Sequence, residues 1–467
     1  MTTTTERLSN ALVRQRLEGM SHTQRSRARE ECLRIARESS LSMEDRLLSF
    51  IPVPLIVDRG MSSALLAKLD ILLRGLWRLE ESCLGDAGGA LHARLVDSLS
   101  ADGRRIFKQC DFESKRSMQR RYRRLDGFCD LSSGRYSVID VNQAAPFGSH
   151  FNDVLQRMAQ SLLDDLGFEY TPDLLCPRIL DWLVGEYRDR YGKDRLPRLV
   201  AATIEHGISE RFTDLPSVAA ACEELSIERF GERIRFEVCY APELKLRGGK
   251  AMLWEREADV IWRNSAYLTQ CRQKGEDISD YEAIFSDPER HLIVNSTRSW
   301  LTRTKETFAV LWDDAACSAF GLGAQDREAI RSLVPYTVNL GRSRGAAAEV
   351  LRDKDSWVSK PADGDFGIGV EFGASHDAGS WRSLVEERSR DGYIFQKRVP
   401  YPSMEFPFID EAGAVQVTRL EFDLCPYHVD GSFPGTLISR ANPPSTPGVV
   451  RKMNLSEGAI VLPAVVS

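Results

Sequence analysis

The sequence predicts a mixed protein, part α+β and part α/β, with a helical N-terminal region. Three features predict it. Leucines recur at three- and four-residue steps in the first hundred residues, β–α–β alternation runs over roughly 170–290, and the last third is a string of short apolar strands. With 467 residues, 42% of them hydrophobic, the chain can bury a large core divided into two or three lobes.

Residues 1 to about 100 read as helical. Leu33, Ile35 and Ala36 begin one apolar stripe, and Leu65, Leu66, Leu69, Leu72, Leu73 and Leu76 form another, with Pro52 and Pro54 breaking the chain between them. The basic stretch FESKRSMQRRYRR (112–124) reads as a helix, either a solvated face or a segment whose end brings arginine to an anionic site. GRYSVIDVNQ (134–143) alternates like a strand, and a helix is expected over 150–165. Strands at 199–204, 234–240 and 258–262, with a helix at 217–225 and a loop at Glu205–His206–Gly207, suggest a small α/β lobe. Helices at 300–312 and 344–352 then precede strands at 357–360, 368–373, 393–399, 415–423 and 435–440. One helix, 380–388, interrupts them, as in an α+β lobe on an antiparallel sheet.

Charge and cysteines narrow the function. Acids outnumber bases, 68 to 62, for a net charge of -6, so a global basic field for nucleic acid is absent. No apolar run reaches the ~18 residues that a bilayer requires. Met1 to Glu6 lacks the layout of a secretory signal, so the expected location is cytoplasmic and no membrane partner is expected. The ten cysteines include no Cys-x-x-Cys pair and read as reduced, buried small hydrophobes.

Five constellations carry possible chemistry. The first is Arg124-x-Asp126-x-x-x-Asp130 followed by Asp140-Val141-Asn142. Side chains alternate along a strand, so Asp140 and Asn142 share a face, and their hard oxygens suit Mg²⁺, with Asp126 as a possible third. The same residues suit a hairpin with Asp and Asn capping its turns. The second is Lys360-Pro361-Ala362-Asp363-Gly364-Asp365-Phe366-Gly367-Ile368-Gly369, a strand ending in lysine before a glycine-rich loop. Such a loop can cradle phosphate, or be a plain turn. The third is the strand Tyr393 to Val399 before Pro400, a hinge whose backbone can meet an adenine edge, or a core strand. The fourth is Arg440, which can clamp a phosphoryl group. Glu421 and Asp423 lie nearby in sequence, and the plain reading is a surface ion pair. The fifth is Lys305, within a helix whose Trp300, Leu301, Phe308, Leu311 and Trp312 are expected in the core.

In their order, RLDGFCD, YSVIDVNQAAPFG, DVIWRN, RSWLTRTKETFAVLW, WVSKPADGDFGIG, YIFQKRVP and GTLISRAN resemble the glutathionylspermidine synthase-like branch of ATP-grasp ligases, whose ATP-grasp domain is circularly permuted. The match spans about 124–442. The resemblance implies a circularly permuted ATP-grasp fold with an ATP-grasp segment carrying the metal ligands (111–170), an α/β substrate lobe (171–295) and a nucleotide-binding lobe (296–467); residues 1–110 match nothing in the family and stand as the helical N-terminal region read from their spacing. It implies Asp126, Asp140 and Asn142 as Mg²⁺ ligands. ATP would be bound by Lys305, Lys360, Gly364, Gly367, Gly369, Gln396, Lys397 and Val399, with Arg124 and Arg440 at the transferring phosphoryl group. The implied activity is an ATP- and Mg²⁺-dependent C–N ligase joining a small carboxylate to an amine (amino acid, peptide or polyamine) through an acyl-phosphate. The alternative is a protein of the same fold that binds ATP or a metabolite without ligation. Two departures stand out. Asp140 stands where such proteins usually carry glutamate, and the loop is acidic at Asp363 and Asp365, which must point away or hold metal.

Overall fold

The computed structural model describes residues 7–43, 46–86, 89–101, 103–104, 119–143, 146–204, 214–263, 269–364, 367–390, 392–434, 437–445 and 450–467. Its N-terminal region is helical, as its periodicity predicts. The helices Asn10–Gly19, His22–Glu38 and Arg59–Gly85 each start on a side chain that accepts a first-turn amide: Ser9 from Leu12, Ser21 from Gln24, Asp58 from Met61. Leu65, Leu69, Leu72, Leu73 and Leu76 are all buried. The region is not a separate body. Past Pro54 the chain forms the short strand Leu55–Val57, which pairs in parallel with the C-terminal strand Ile460–Val466. One apolar core runs from Val13 to Val465.

Three larger sheets organise the rest, beside a small three-stranded one formed by Leu244–Arg247, Lys250–Leu253 and Arg256–Glu257. The largest is eight-stranded and almost wholly antiparallel. Its main path runs Ser403–Ile409, Val415–Phe422, Leu437–Asn442, Cys425–His428, Arg123–Asp130, Arg135–Asn142. A four-stranded parallel sheet, ordered Ile293–Val294, Val260–Arg263, Leu199–Ile204, Arg235–Tyr240, forms the α/β lobe, with helices Leu175–Tyr191 and Asp214–Phe230 sharing its core. A four-stranded antiparallel sheet, ordered Thr337–Val338, Tyr393–Lys397, Trp357–Pro361, Glu371–Phe372, rests on a separate small core of Val338, Val350, Trp357, Trp381, Val385 and Phe395. The helix Ala378–Arg388 supplies two of those residues.

Three local expectations change. The basic stretch does not continue as helix to Arg124. A strand begins at Arg123, where Arg121 and Arg123 are buried, and 112–118 lie outside the described residues. The expected helix over 300–312 is two short helices, Trp300–Arg303 and Glu306–Leu311. The break falls at Thr304–Lys305 because Thr304 is extended and the Lys305 amide donates to Ala362 O at 2.7 Å, not to a helical carbonyl. The expected strand over 368–373 shrinks to Glu371–Phe372, since Gly367 and Gly369 both adopt left-handed φ and turn the chain. The loop at Glu205–His206–Gly207 lies outside the described residues.

Candidate active site

The Arg123–Asp130 and Arg135–Asn142 strands form a hairpin whose register sets the first wall of a cleft. Arg124 lies opposite Asn142, and Asp126 opposite Asp140. Two carboxylates facing each other across a ladder repel unless cations offset them. Each has its own. Arg124 grips Asp126 with both Nε (2.7 Å) and Nη2 (3.0 Å), and Arg440 Nη2 reaches Asp126 Oδ2 at 2.9 Å. Lys305 Nζ lies 3.3 Å from Asp140 Oδ2. Asp130 stands apart from the cleft, where its oxygens accept from Ser132 and Ser133 and cap the hairpin turn.

A bulge after Asp126 aims this corner. Gly127 sits there because a Cβ would come within 2.6 Å of the Ser137 carbonyl and the Tyr136 ring. Tyr136 crosses behind it and donates to Leu424 O at 2.6 Å, tying the hairpin to the chain entering the neighbouring strand Cys425–His428.

The second wall is the small antiparallel sheet. Lys360 pairs in register with Ile394, and Val358 with Gln396, so the lysine and the glutamine emerge on the same face. Lys360 Nζ donates to Gln396 Oε1 at 2.7 Å and, across the cleft, to Ile139 O at 3.2 Å. Burial lowers its pKa to about 8, a push strengthened by Lys305 and opposed by Asp140. The glycine-rich loop closes one end. Lys305 Nζ donates to Gly364 O at 2.8 Å, and Lys452 Nζ to Gly367 O at 3.0 Å.

All but one of the thirteen residues that the resemblance implies for metal, ATP and phosphoryl transfer line this cleft. Arg124, Asp126, Asp140, Asn142, Lys305, Lys360, Gly364, Gly367, Gln396, Lys397, Val399 and Arg440 do so. Gly369 does not; its carbonyl accepts from Arg388 at 2.9 Å, behind the loop. Lys397 contributes main chain, since its ammonium pairs with Glu349 (3.0 Å) and Asp353 (3.1 Å) and lies over Trp357. The loop's acidity is accounted for at Asp363, which points away and accepts from Arg303 at 2.8 Å and from the Ser100 amide at 2.7 Å. Asp365 lies outside the described residues.

The surroundings of Arg440 differ from the expectation. The expected surface ion pair is a buried one: Asp423 is 1% exposed and binds Arg440 Nη2 at 2.6 Å and its backbone amide at 2.7 Å. Arg124, Asp126, Arg440 and Asp423 thus form an alternating chain of two cations and two anions. Burial raises the Asp126 pKa, but Arg124 and Arg440 more than offset that and hold it well below the usual carboxylate range. Burial pushes Asp423 up, and Arg440 offsets this only in part.

Other lining residues are assigned no role from the sequence. Gln143, Arg303, Arg398 and Tyr401 face the cleft, as does the C-terminal segment from Lys452 to Leu455. Gln143, Arg303, Arg398 and Tyr401 all lie within two residues of singled-out positions and can be found by that proximity, whereas the 452–455 segment has no motif. Phe128 and Tyr401, with ring centroids 4.7 Å apart, make an apolar wall.

A polyanion with a divalent cation fits this donor set. Lysines and arginines predominate among the charged lining residues. Asn142 Nδ2 is buried without a hydrogen-bond partner, an orphaned donor that fits a phosphate oxygen; a metal ion would take the side chain's oxygen. Among the described residues no group of three or more His, Cys, Asp or Glu could hold a metal ion. An ion on Asp140 and Asn142 would therefore draw further oxygens from its ligand and water, as Mg²⁺ does with phosphates. No family model matches the chain, and no curated protein matches it significantly. Among the described residues no helix is long and apolar enough to cross a membrane.

Proposed function

We propose that this protein is an ATP- and Mg²⁺-dependent carboxylate–amine ligase of the circularly permuted ATP-grasp type, acting through an acyl-phosphate. The observation that carries the reading is the meeting of Asp140 and Asn142, Lys305 and Lys360, Gly364 and Gly367, and Arg440 around one cleft, from stretches up to 300 residues apart in sequence.

In this reading Lys360 and Lys305 hold phosphate oxygens, and the amides of the glycine-rich loop cover them. Gln396 and the main chain from Lys397 to Val399 take the base. Bound Mg²⁺ would neutralise phosphate charge beside Asp140 and Asn142. Arg440, fixed by Asp423, faces the migrating phosphoryl group together with Arg124. A substrate carboxylate oxygen attacks the γ-phosphorus, the bond to the β-phosphate oxygen breaks, and ADP leaves. The amine then attacks the acyl carbon, phosphate departs with the C–O electron pair, and the nitrogen gives its proton to solvent. Catalysis here is positioning and charge neutralisation, with no covalent step on the protein.

The test is ADP release on mixing the protein with ATP, Mg²⁺ and pools of carboxylates and amines. Release that requires both pools supports ligation. One observation favours the alternative, a nucleotide-binding protein without ligation: both Asp126 oxygens are taken by arginines, leaving Asp140, among the described residues lining the cleft, as the carboxylate available for metal. Tight ATP binding with no substrate-dependent ADP would select it.

A further inference from the structure

We infer that the N-terminal helices are a positioning part of this cleft, and that Glu80 and Thr302 set where Lys305 stands. The inference rests on the nucleotide reading of the cleft and extends it to the first hundred residues, to which that reading assigns no role.

The segment carrying Lys305 is not held by its own helices, which break at Thr304–Lys305. It is held from the N-terminal region at alternate positions. Glu80, fully buried in the Arg59–Gly85 helix, accepts the Thr302 hydroxyl proton. The Ser98 hydroxyl gives its proton to Leu95 O at 2.6 Å and lies 3.1 Å from the Thr304 hydroxyl, from which it can accept. Arg94 pairs with the buried Glu306 at 2.6 Å. Residues three before, one before and one after Lys305 are thus each bonded to helices of the N-terminal region. The phosphate loop is held from the same side by the Ser100 amide on Asp363.

Glu80 also reaches the opposite wall. Arg121 grips both its oxygens, at 2.9 and 2.8 Å, which fixes the carboxylate. Thr302 Oγ1 in turn accepts from Gln143 Nε2 at 2.6 Å, and Gln143 Oε1 accepts from Arg123 Nε at 2.9 Å. Every donor and acceptor in this chain has one assignment. It links Gln143, next to Asn142 on the first wall, to Thr302, three residues before Lys305. The short Lys305–Asp140 approach across the cleft is set by that link. A buried carboxylate with charged and hydroxyl donors is a stiff anchor, because leaving it unpaired is costly.

The test uses the full chain and measures affinity for a non-hydrolysable ATP analogue with Mg²⁺, beside ligand-free thermal unfolding. Thr302→Val, which removes the hydroxyl at constant shape, is expected to weaken analogue binding by about tenfold or more in the folded protein. Thr302→Ser is expected to restore it. Ser98→Ala, at a half-buried site that folding tolerates, is expected to weaken binding in the same direction by a smaller factor. Arg34→Ala, which breaks an exposed ion pair in the same helical region, is expected to leave binding unchanged. A purely structural role lowers the melting temperature and leaves the affinity of folded protein at the wild-type value. Wild-type affinity in Thr302→Val, or failure of Thr302→Ser to restore it, overturns the inference. Absence of analogue binding by the wild type overturns the nucleotide reading itself.

Discussion

At the scale of the residue, function turns on how single charges are held. Lys360 is the clearest case. Its pKa in the folded protein is lowered by burial to about 8, against an ordinary 10.5. The unfolded chain then binds more protons than the folded one between these values, so stability rises with pH across about 8 to 10.5. Function runs the other way, since the ammonium that would hold phosphate is lost above about 8. Analogue affinity is expected to fall as pH rises through 8 to 9 in the wild type. In Lys360→Gln it is expected to be weak and flat over that range. Titration calorimetry at several pH values reads both. Arg440 is a matter of geometry. Its guanidinium bonds Asp126 and Asp423 simultaneously, which an ammonium cannot do in the same fork. Arg440→Lys is expected to keep analogue affinity within a few-fold and to lower turnover by ~10³. Equal losses in both would remove Arg440 from the transfer step.

At the scale of the element, the hairpin and the small sheet are legible in the sequence and their ends are not. The alternation of Tyr136, Val138 and Val141 announces the second hairpin strand, and all three are buried. Likewise Lys360 and Gln396 can be assigned to strands, though only pairing shows that they touch. The stretch 300–312 reads as one helix because its apolar spacing is correct on both sides of the break. What interrupts it is a tertiary bond from Lys305 to Ala362, invisible to periodicity. Asp423 reads as a surface partner because an Asp near an Arg in sequence looks so unless burial is known. The C-terminal lining from Lys452 to Leu455 has no periodicity to detect. The hairpin bulge gives a direct check. Gly127→Ala forces a methyl against Tyr136 and the Ser137 carbonyl, so it is expected to cost about 1–3 kcal/mol and lower the melting temperature. Analogue affinity is expected to fall as well, since Asp126 would shift.

At the scale of the whole molecule, the boundary drawn at 110 from the sequence does not mark the edge of the core. The Leu55–Val57 strand completes a pairing with Ile460–Val466, and the leucine stripe of Arg59–Gly85 packs into the same core as Leu125, Phe422 and Leu462. A chain beginning at residue 105 is therefore expected not to fold, with neither a cooperative melt nor analogue binding. Retention of either would show that the helical region is an appendage. The central claim, that distant segments of the chain share one nucleotide cleft, is tested most directly by a crystal structure with an ATP analogue and Mg²⁺. The expected result is phosphates between Lys305, Lys360 and the 364–369 loop, with the ion on Asp140 and Asn142. A nucleotide bound at another surface, with this cleft empty, would contradict it.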